Sequence, residues 1–177
     1  YIPDSLTHEF KTAHGRTVRD GGGITPDVTI EGHDYSRLTY SLVYSGIIQE
    51  YALDYVREHA DADEDFHLAD KDWDGFVAFA KTKEFDYRSS AKTYFDRMKK
   101  ELEKDGLSKN MSAELDALQK ALEMDKETFL KLKKDEIVPF IEEEIAVRYH
   151  FQEAGIKIRL RYDDQLKKAL ASPMIEI

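Results

Sequence analysis

The chain has 177 residues, 41% hydrophobic and 35% charged, enough apolar content for one or two compact units beneath a heavily charged surface. Its 26 basic against 36 acidic residues leave a formal net charge of −10, which argues against nonspecific nucleic-acid binding and against an anionic membrane surface. It has no cysteine, so disulfide and thiolate chemistry are excluded, and no apolar run approaches the ~20 residues of a membrane-spanning helix.

In chain order, Tyr1 to Leu6 reads as a loop broken by Pro3, opening without a Met or a leader pattern, as expected of a piece of a longer precursor. Phe10 to Ala13 and Arg16 to Val18 flank His14-Gly15, a hairpin signal because glycine tolerates positive φ. Gly21-Gly22-Gly23 supplies backbone that bends sharply, and Pro26 pushes Thr25 toward extended geometry. Asp27 to Glu31 alternates polar and apolar, predicting a further short strand. The glycine run lacks the spacing of a phosphate-cradling loop ahead of a helix. Two or three such strands are too few to stand alone in water.

His33-Asp34 marks a boundary between a β segment, 1–33, and a helical region, 34–177. Tyr35 to His59 carries Tyr40, Val43, Tyr44, Ile47, Tyr51 and Tyr55 at three- and four-residue steps, broadened by Leu38, Leu42, Ala52 and Val56, which predicts one helix with its tyrosines in the core. An acidic connector follows, with Asp61, Asp63, Glu64 and Asp65. Asp70 caps a helix to about Lys83, and Ser89 or Ser90 caps another to about Lys104, stopped by Asp105-Gly106. Ser112 caps a short helix to Glu123, and Asp125 caps a long one. Pro139 is expected to kink that helix or start a new segment, after which Ile137, Ile141, Ile145 and Tyr149 form a stripe toward Gly155. Gly155 to Tyr162 alternates as a strand would, with helix or turn the alternative that the family resemblance given below implies, and Asp163 or Asp164 caps a last helix, Gln165 to Ala171. The fold class is mainly α, with a short N-terminal β segment followed by a multi-helix domain.

Four constellations carry possible chemistry. Asp70, Asp72 and Asp74 before Gly75 open like a calcium loop, but Lys81 stands where the bidentate carboxylate belongs, so an acidic helix start is the better account. Ser89 and Lys92 form an SxxK pair; a base lysine must be desolvated, and this segment looks wet, so Ser89 reads as a helix cap. His8, His14, His33, His59, His67 and His150 show no zinc-site spacing. Arg148, Arg159 and Arg161 beside Tyr149 and Tyr162 read as ion-pair partners of neighbouring acids. No cofactor is implied.

Lys11-Thr12-Ala13-His14-Gly15-Arg16 followed by Gly23-Ile24-Thr25-Pro26-Asp27-Val28 resembles the "GR … GI.PDV" pattern near the end of the catalytic domain of C-terminal processing (tail-specific) serine peptidases. The run from Tyr35, Phe85-Asp86-Tyr87 and the tail from Tyr162 resemble the helical extension of such peptidases from Bacteroidetes-like bacteria. By this resemblance Gly15, Arg16, Gly23, Ile24, Pro26 and Asp27 are structural motif residues, and the Ser nucleophile and Lys base lie upstream. The resemblance further implies an exported, periplasmic or envelope-associated enzyme, upstream catalytic and PDZ-like domains as partners, and protein substrates. Its strand edges, left open here, would also allow pairing with a second copy. The alternative reading is a free-standing acidic helical interaction domain whose β segment docks a partner strand.

Overall fold

A computed structural model describes residues 6–21, 28–32 and 34–172. The chain divides into two units, one of residues 1–33 and 164–177, the other of residues 34–163.

The first unit holds a hairpin. Strand β1 (Glu9–Lys11) pairs antiparallel with β2 (Thr17–Arg19), placing Phe10 opposite Val18. The loop is one residue longer than the expected two-residue turn. The Thr12 N–H donates to the Arg16 carbonyl at 2.9 Å, and the Gly15 N–H donates back to the Thr12 carbonyl at 2.9 Å. Gly15 takes φ +82°, the left-handed step that closes a three-residue hairpin loop. The Arg16 N–H then donates to Thr12 Oγ1 at 3.2 Å. At the open end Asp20 accepts from the His8 N–H at 2.7 Å, and Arg19 pairs across the strands with Glu9. All six strand residues are exposed. The further strand expected over Asp27 to Glu31 is not formed in its described part, Val28 to Glu31. Alternation makes a strand only where a partner ladder exists. The unit also holds helix α8 (Asp164–Ala171), whose first residue is Asp164, one residue before the expected start at Gln165.

All the regular secondary structure of the second unit is helical. Helices α1 (Arg37–Tyr44) and α2 (Ile47–Glu58) replace the single helix expected over Tyr35 to His59. Gly46 at φ +76° ends the first and resets the phase of the second. Leu38 and Leu42 before the break, and Ile47, Ile48, Tyr51 and Ala52 after it, are buried. Tyr40 and Tyr44, expected in the core, lie outside and stack on one another with centroids 6.1 Å apart. Helix α3 (Asp70–Lys81) buries Trp73, Phe76, Val77 and Ala80; Ala69 holds its cap position, so Asp70 is the first helical residue instead. Helix α4 (Ser90–Lys104) starts on Ser89, whose hydroxyl accepts from the Lys92 N–H at 3.0 Å, and stops where Gly106 turns left-handed. A 3₁₀ turn (Ser108–Met111) leads into α5 (Ser112–Leu122), with Met111 in the cap position expected for Ser112. Helices α4 and α5 pack on each other around Phe95 and Leu115, both outside the main core.

Helix α6 (Lys126–Leu132) starts on the Asp125 cap and is shorter than expected, because the chain restarts at Lys134 as α7 (Lys134–Arg161). Ile137, Ile141 and Ile145 of α7 are wholly buried, chiefly against α2. Pro139 does not kink it: it sits in the second turn, where its missing N–H costs one bond near the helix start. The break falls at His150 and Phe151, with Phe151 at φ 61°, ψ −169°. Beyond it the second half folds back, and Ala154 and Ile158 bury against Ala146. Gly155 lets the halves meet, since a Cβ there would lie 2.4 Å from Val147 Cγ2. Gly155 to Arg161 is helix, which removes the strand alternative. Among the described residues no helix is long and apolar enough to cross a membrane.

Candidate functional site

Three segments of the helical unit enclose a groove of about 560 Å³. They are the connector from α3 to α4, the first turns of α4, and the connector from α5 to α6. Leu122, Met124 and Phe129 supply an apolar side. Phe85 and Tyr87, with ring centroids 6.2 Å apart, supply an aromatic one and pack partly against the core. Asp86 pins the connector: its N–H donates to Ser41 Oγ at 3.0 Å, and its carboxylate meets Arg37 at 3.0 Å and Arg88 at 3.1 Å. The bond from Arg88, with Arg37 nearby, holds the Asp86 carboxyl below its usual range against the effect of burial. Lys126 Nζ donates to the Lys83 carbonyl at 2.7 Å and lies 4.7 Å from the Phe85 ring centroid and 5.8 Å from that of Tyr87.

A second cluster is structural. Glu142 is 2% exposed, in the middle of α7. Its carboxylate accepts from the Leu68 N–H at 2.8 Å, from Arg161 at 2.9 Å and from the Tyr162 hydroxyl at 2.8 Å. Arg161 also donates to the Phe66 carbonyl at 2.8 Å and pairs with Asp65. The cluster therefore clamps the returning half of α7 and the α2–α3 loop to the first half. Burial, with the bond to Glu142, pushes the Tyr162 hydroxyl up to about 12. At the other end of α7, Glu136 accepts from the Ser36 N–H at 2.8 Å and the Thr39 hydroxyl at 3.0 Å. Burial works against its ionised form, but those bonds and Lys133 prevail and hold its carboxyl at about 2.

The sequence candidates distribute themselves as follows. Ser89 and Lys92 both line the groove but do not form a nucleophile and base: the hydroxyl caps α4 and Lys92 pairs with Asp96. Asp70, Asp72 and Asp74 all lie on α3, where steps of two residues fan side chains about 200° apart. Asp70 pairs with Lys134 at 2.7 Å, and the Asp72 carbonyl accepts from the Tyr51 hydroxyl at 2.6 Å. Among the described residues no group of three His, Cys, Asp or Glu is placed to hold a metal ion. The described histidines stay apart. His8 faces Asp20, His59 stacks on Tyr55 at 4.0 Å, His67 lies beside Arg161, and His150 bonds the Ala62 carbonyl. Arg148, Arg159 and Arg161 pair with Glu144, Glu143 and Glu142. Gly15 and Arg16 close the hairpin, whereas Gly23, Ile24, Pro26, Asp27 and His33 lie outside the described residues. Sequence reading missed the Glu142 clamp, which sits in the run Glu142-Glu143-Glu144 and reads there as a solvated face.

A protein-family model described as "Probable PDZ-protease, C-terminal helical domain" matches residues 38–172, which spans α1 to α8. The chain belongs to this family. The family places the helices in the C-terminal helical domain of a protease and agrees with the resemblance carried by the β segment. The mainly α fold with a short antiparallel β segment is as expected. Neither the curated proteins nor the solved structures contain a match to the chain.

Proposed function

We propose that the chain is the non-catalytic C-terminal part of an exported C-terminal processing serine endopeptidase, and that its helical unit shapes substrate access to the catalytic platform. The reading rests on one conjunction: "GR … GI.PDV" residues directly ahead of helices of a PDZ-protease family. The chemistry belongs to the upstream domain. There a serine hydroxyl attacks the peptide carbonyl, a lysine takes its proton, and backbone amides stabilise the oxyanion. The engagement of Ser89 and Lys92 in a cap and an ion pair supports placing the dyad elsewhere. The exposed hairpin is read as the rim of the catalytic sheet, pairing with upstream strands; pairing with a second copy is the competing use of the same edges.

The test compares the full precursor with this chain on an unstructured protein substrate. The precursor should cleave it, and replacing the upstream serine by alanine should abolish cleavage. The chain alone should not cleave. Turnover by the chain alone, or a precursor without an upstream serine and lysine, would remove the reading.

A further inference from the structure

The fold-back of α7 rests on contacts that a second copy of the chain can supply equally well. Between Lys134 and Arg161 only His150 and Phe151 leave helical geometry. Phe151 is the one non-glycine residue at positive φ among the described residues, and at φ 61°, ψ −169° it occupies a region that in effect only glycine tolerates. Its ring is exposed, so packing of the side chain does not explain the strain. Helical dihedrals at these two positions would make α7 a single rod of about 42 Å. Glu142, Ala146, His150, Ala154, Ile158 and Tyr162 recur every four residues, so a straight rod carries them as one ridge. In the folded-back chain that ridge meets itself antiparallel. The Tyr162 hydroxyl donates to Glu142 at 2.8 Å, and Ala154 and Ile158 bury against Ala146. Alongside, Arg159 pairs with Glu143 at 3.1 Å, and Gly155 faces Val147. The pairs 142–162, 146–158, 143–159 and 147–155 all have their midpoint at residue 151 or 152. Two straight helices crossing antiparallel there would remake each pair twice, as an isologous contact. From Glu142 to Arg161 a straight helix spans about 28 Å, so Arg161 then reaches only the carboxylate of another copy.

We propose that α7 straightens through His150 and Phe151 and that two copies of the chain exchange the segment from residue 152 to residue 162, each completing the helical unit of the other. The contacts that close the unit are the same in both forms. What differs is the strain at Phe151, relieved at two hinges in the dimer, set against the entropy of association, which concentration offsets. This association does not depend on the identity of the upstream domain, so its failure leaves the placement of the dyad untouched.

The chain is equilibrated at concentrations up to millimolar in sub-denaturing urea, which lets α7 open and reclose, and is sized by light scattering once the urea is removed. A dimer should accumulate with concentration. Phe151→Gly makes the folded-back geometry comfortable and should raise the dissociation constant of the dimer about 30-fold, the strain of one residue counted at two hinges. Phe151→Ala keeps a Cβ at the strained position and favours helix, so it should leave that constant unchanged or lower it. A charge reversal then separates exchanged dimers from side-by-side ones. Glu143→Lys sets like charges against each other at the Arg159 pair, and Arg159→Glu does the same. When the two variants are mixed, opposite charges are restored only by exchange, and at both ends of the dimer. Heterodimers should therefore exceed the half expected of random mixing, as read by native mass spectrometry. Circular dichroism checks the fold of each variant, and the comparison of glycine with alanine at Phe151 stands independently of the charge reversal. The proposal is overturned if the chain stays monomeric at every concentration, or if Phe151→Gly dimerises as readily as the parent. It is likewise overturned if Phe151→Ala weakens the dimer as much as glycine does, or if heterodimers do not exceed the random share.

Discussion

Two glycines in helices should respond to alanine in opposite directions. In a helix interior, Gly→Ala is favourable by about 1 kcal/mol, because glycine loses the most backbone freedom on folding. At Gly75 in α3 a new Cβ would sit 3.4 Å from Tyr51 Oη, an ordinary contact on an exposed face. Gly75→Ala should therefore stabilise by roughly 0.5–1 kcal/mol. At Gly155 the same atom would sit 2.4 Å from Val147 Cγ2 and 3.5 Å from Glu143 Cγ, inside the closed turn of α7. Val147 is β-branched and stiff at χ1, so the helix halves must part; such overpacking costs about 1–3 kcal/mol. Less the propensity gain of about 1 kcal/mol, Gly155→Ala should destabilise by up to roughly 2 kcal/mol. At ~2–4 °C per kcal/mol for a chain of this size, that lowers Tm by up to roughly 8 °C. Urea titration followed by circular dichroism measures both variants, and the double variant Gly155→Ala with Val147→Ala should recover part of the loss as a positive coupling. If Gly155→Ala were as stabilising as Gly75→Ala, the second half of α7 would not be docked on the first.

Other expectations follow from single sites. Phe151 combines positive φ with an extended ψ, a region that in effect only glycine occupies, and its ring is 81% exposed. Phe151→Gly should therefore raise stability by about 1 kcal/mol in urea melts, and a loss of that size would contradict the strained geometry. Arg161→Met removes the cation from a buried carboxylate and should cost about 3–5 kcal/mol, with Glu142→Gln added in the same chain restoring part of it. A change under about 0.5 kcal/mol would mean that Glu142 is not buried as described. Glu136 has a folded-state carboxyl at about 2, below its ordinary 4.5. Its contribution is thus present above pH 4.5 and lost as pH falls toward 2, the sign expected of a depressed acid. Glu136→Gln should flatten the pH dependence of stability in that window alone; an unchanged slope there would count against the Ser36 and Thr39 bonds.

Much of the helical unit was legible because its punctuation is local. Ser89 and Asp125 cap the helices they precede, and Gly106 ends one by turning left-handed. Gly46 carried the same signal, but the apolar stripe runs across it without interruption and masks the change of phase that turns Tyr40 and Tyr44 outward. The break at Phe151 has no glycine or proline to announce it; it is imposed by the packing of Ala154 and Ile158 on Ala146. Glu142 differs from Glu143 and Glu144 only through what faces it, Arg161 and the Leu68 N–H, which are distant in sequence. The groove was out of reach for the same reason, since Tyr87 and Met124, which line it together, are distant in sequence.

The dependence of α1 and α2 on α7 has a consequence for biosynthesis. Ser36 is anchored by Glu136, Gln49 by Arg148 and Ala62 by His150, links that span about ninety to a hundred positions. During vectorial synthesis the leading helices emerge long before the segment that covers them. Their apolar faces must wait, shielded or unstructured, until the last third of the chain arrives. The fold of the helical unit is then completed late, once α7 is present to cover α1 and α2.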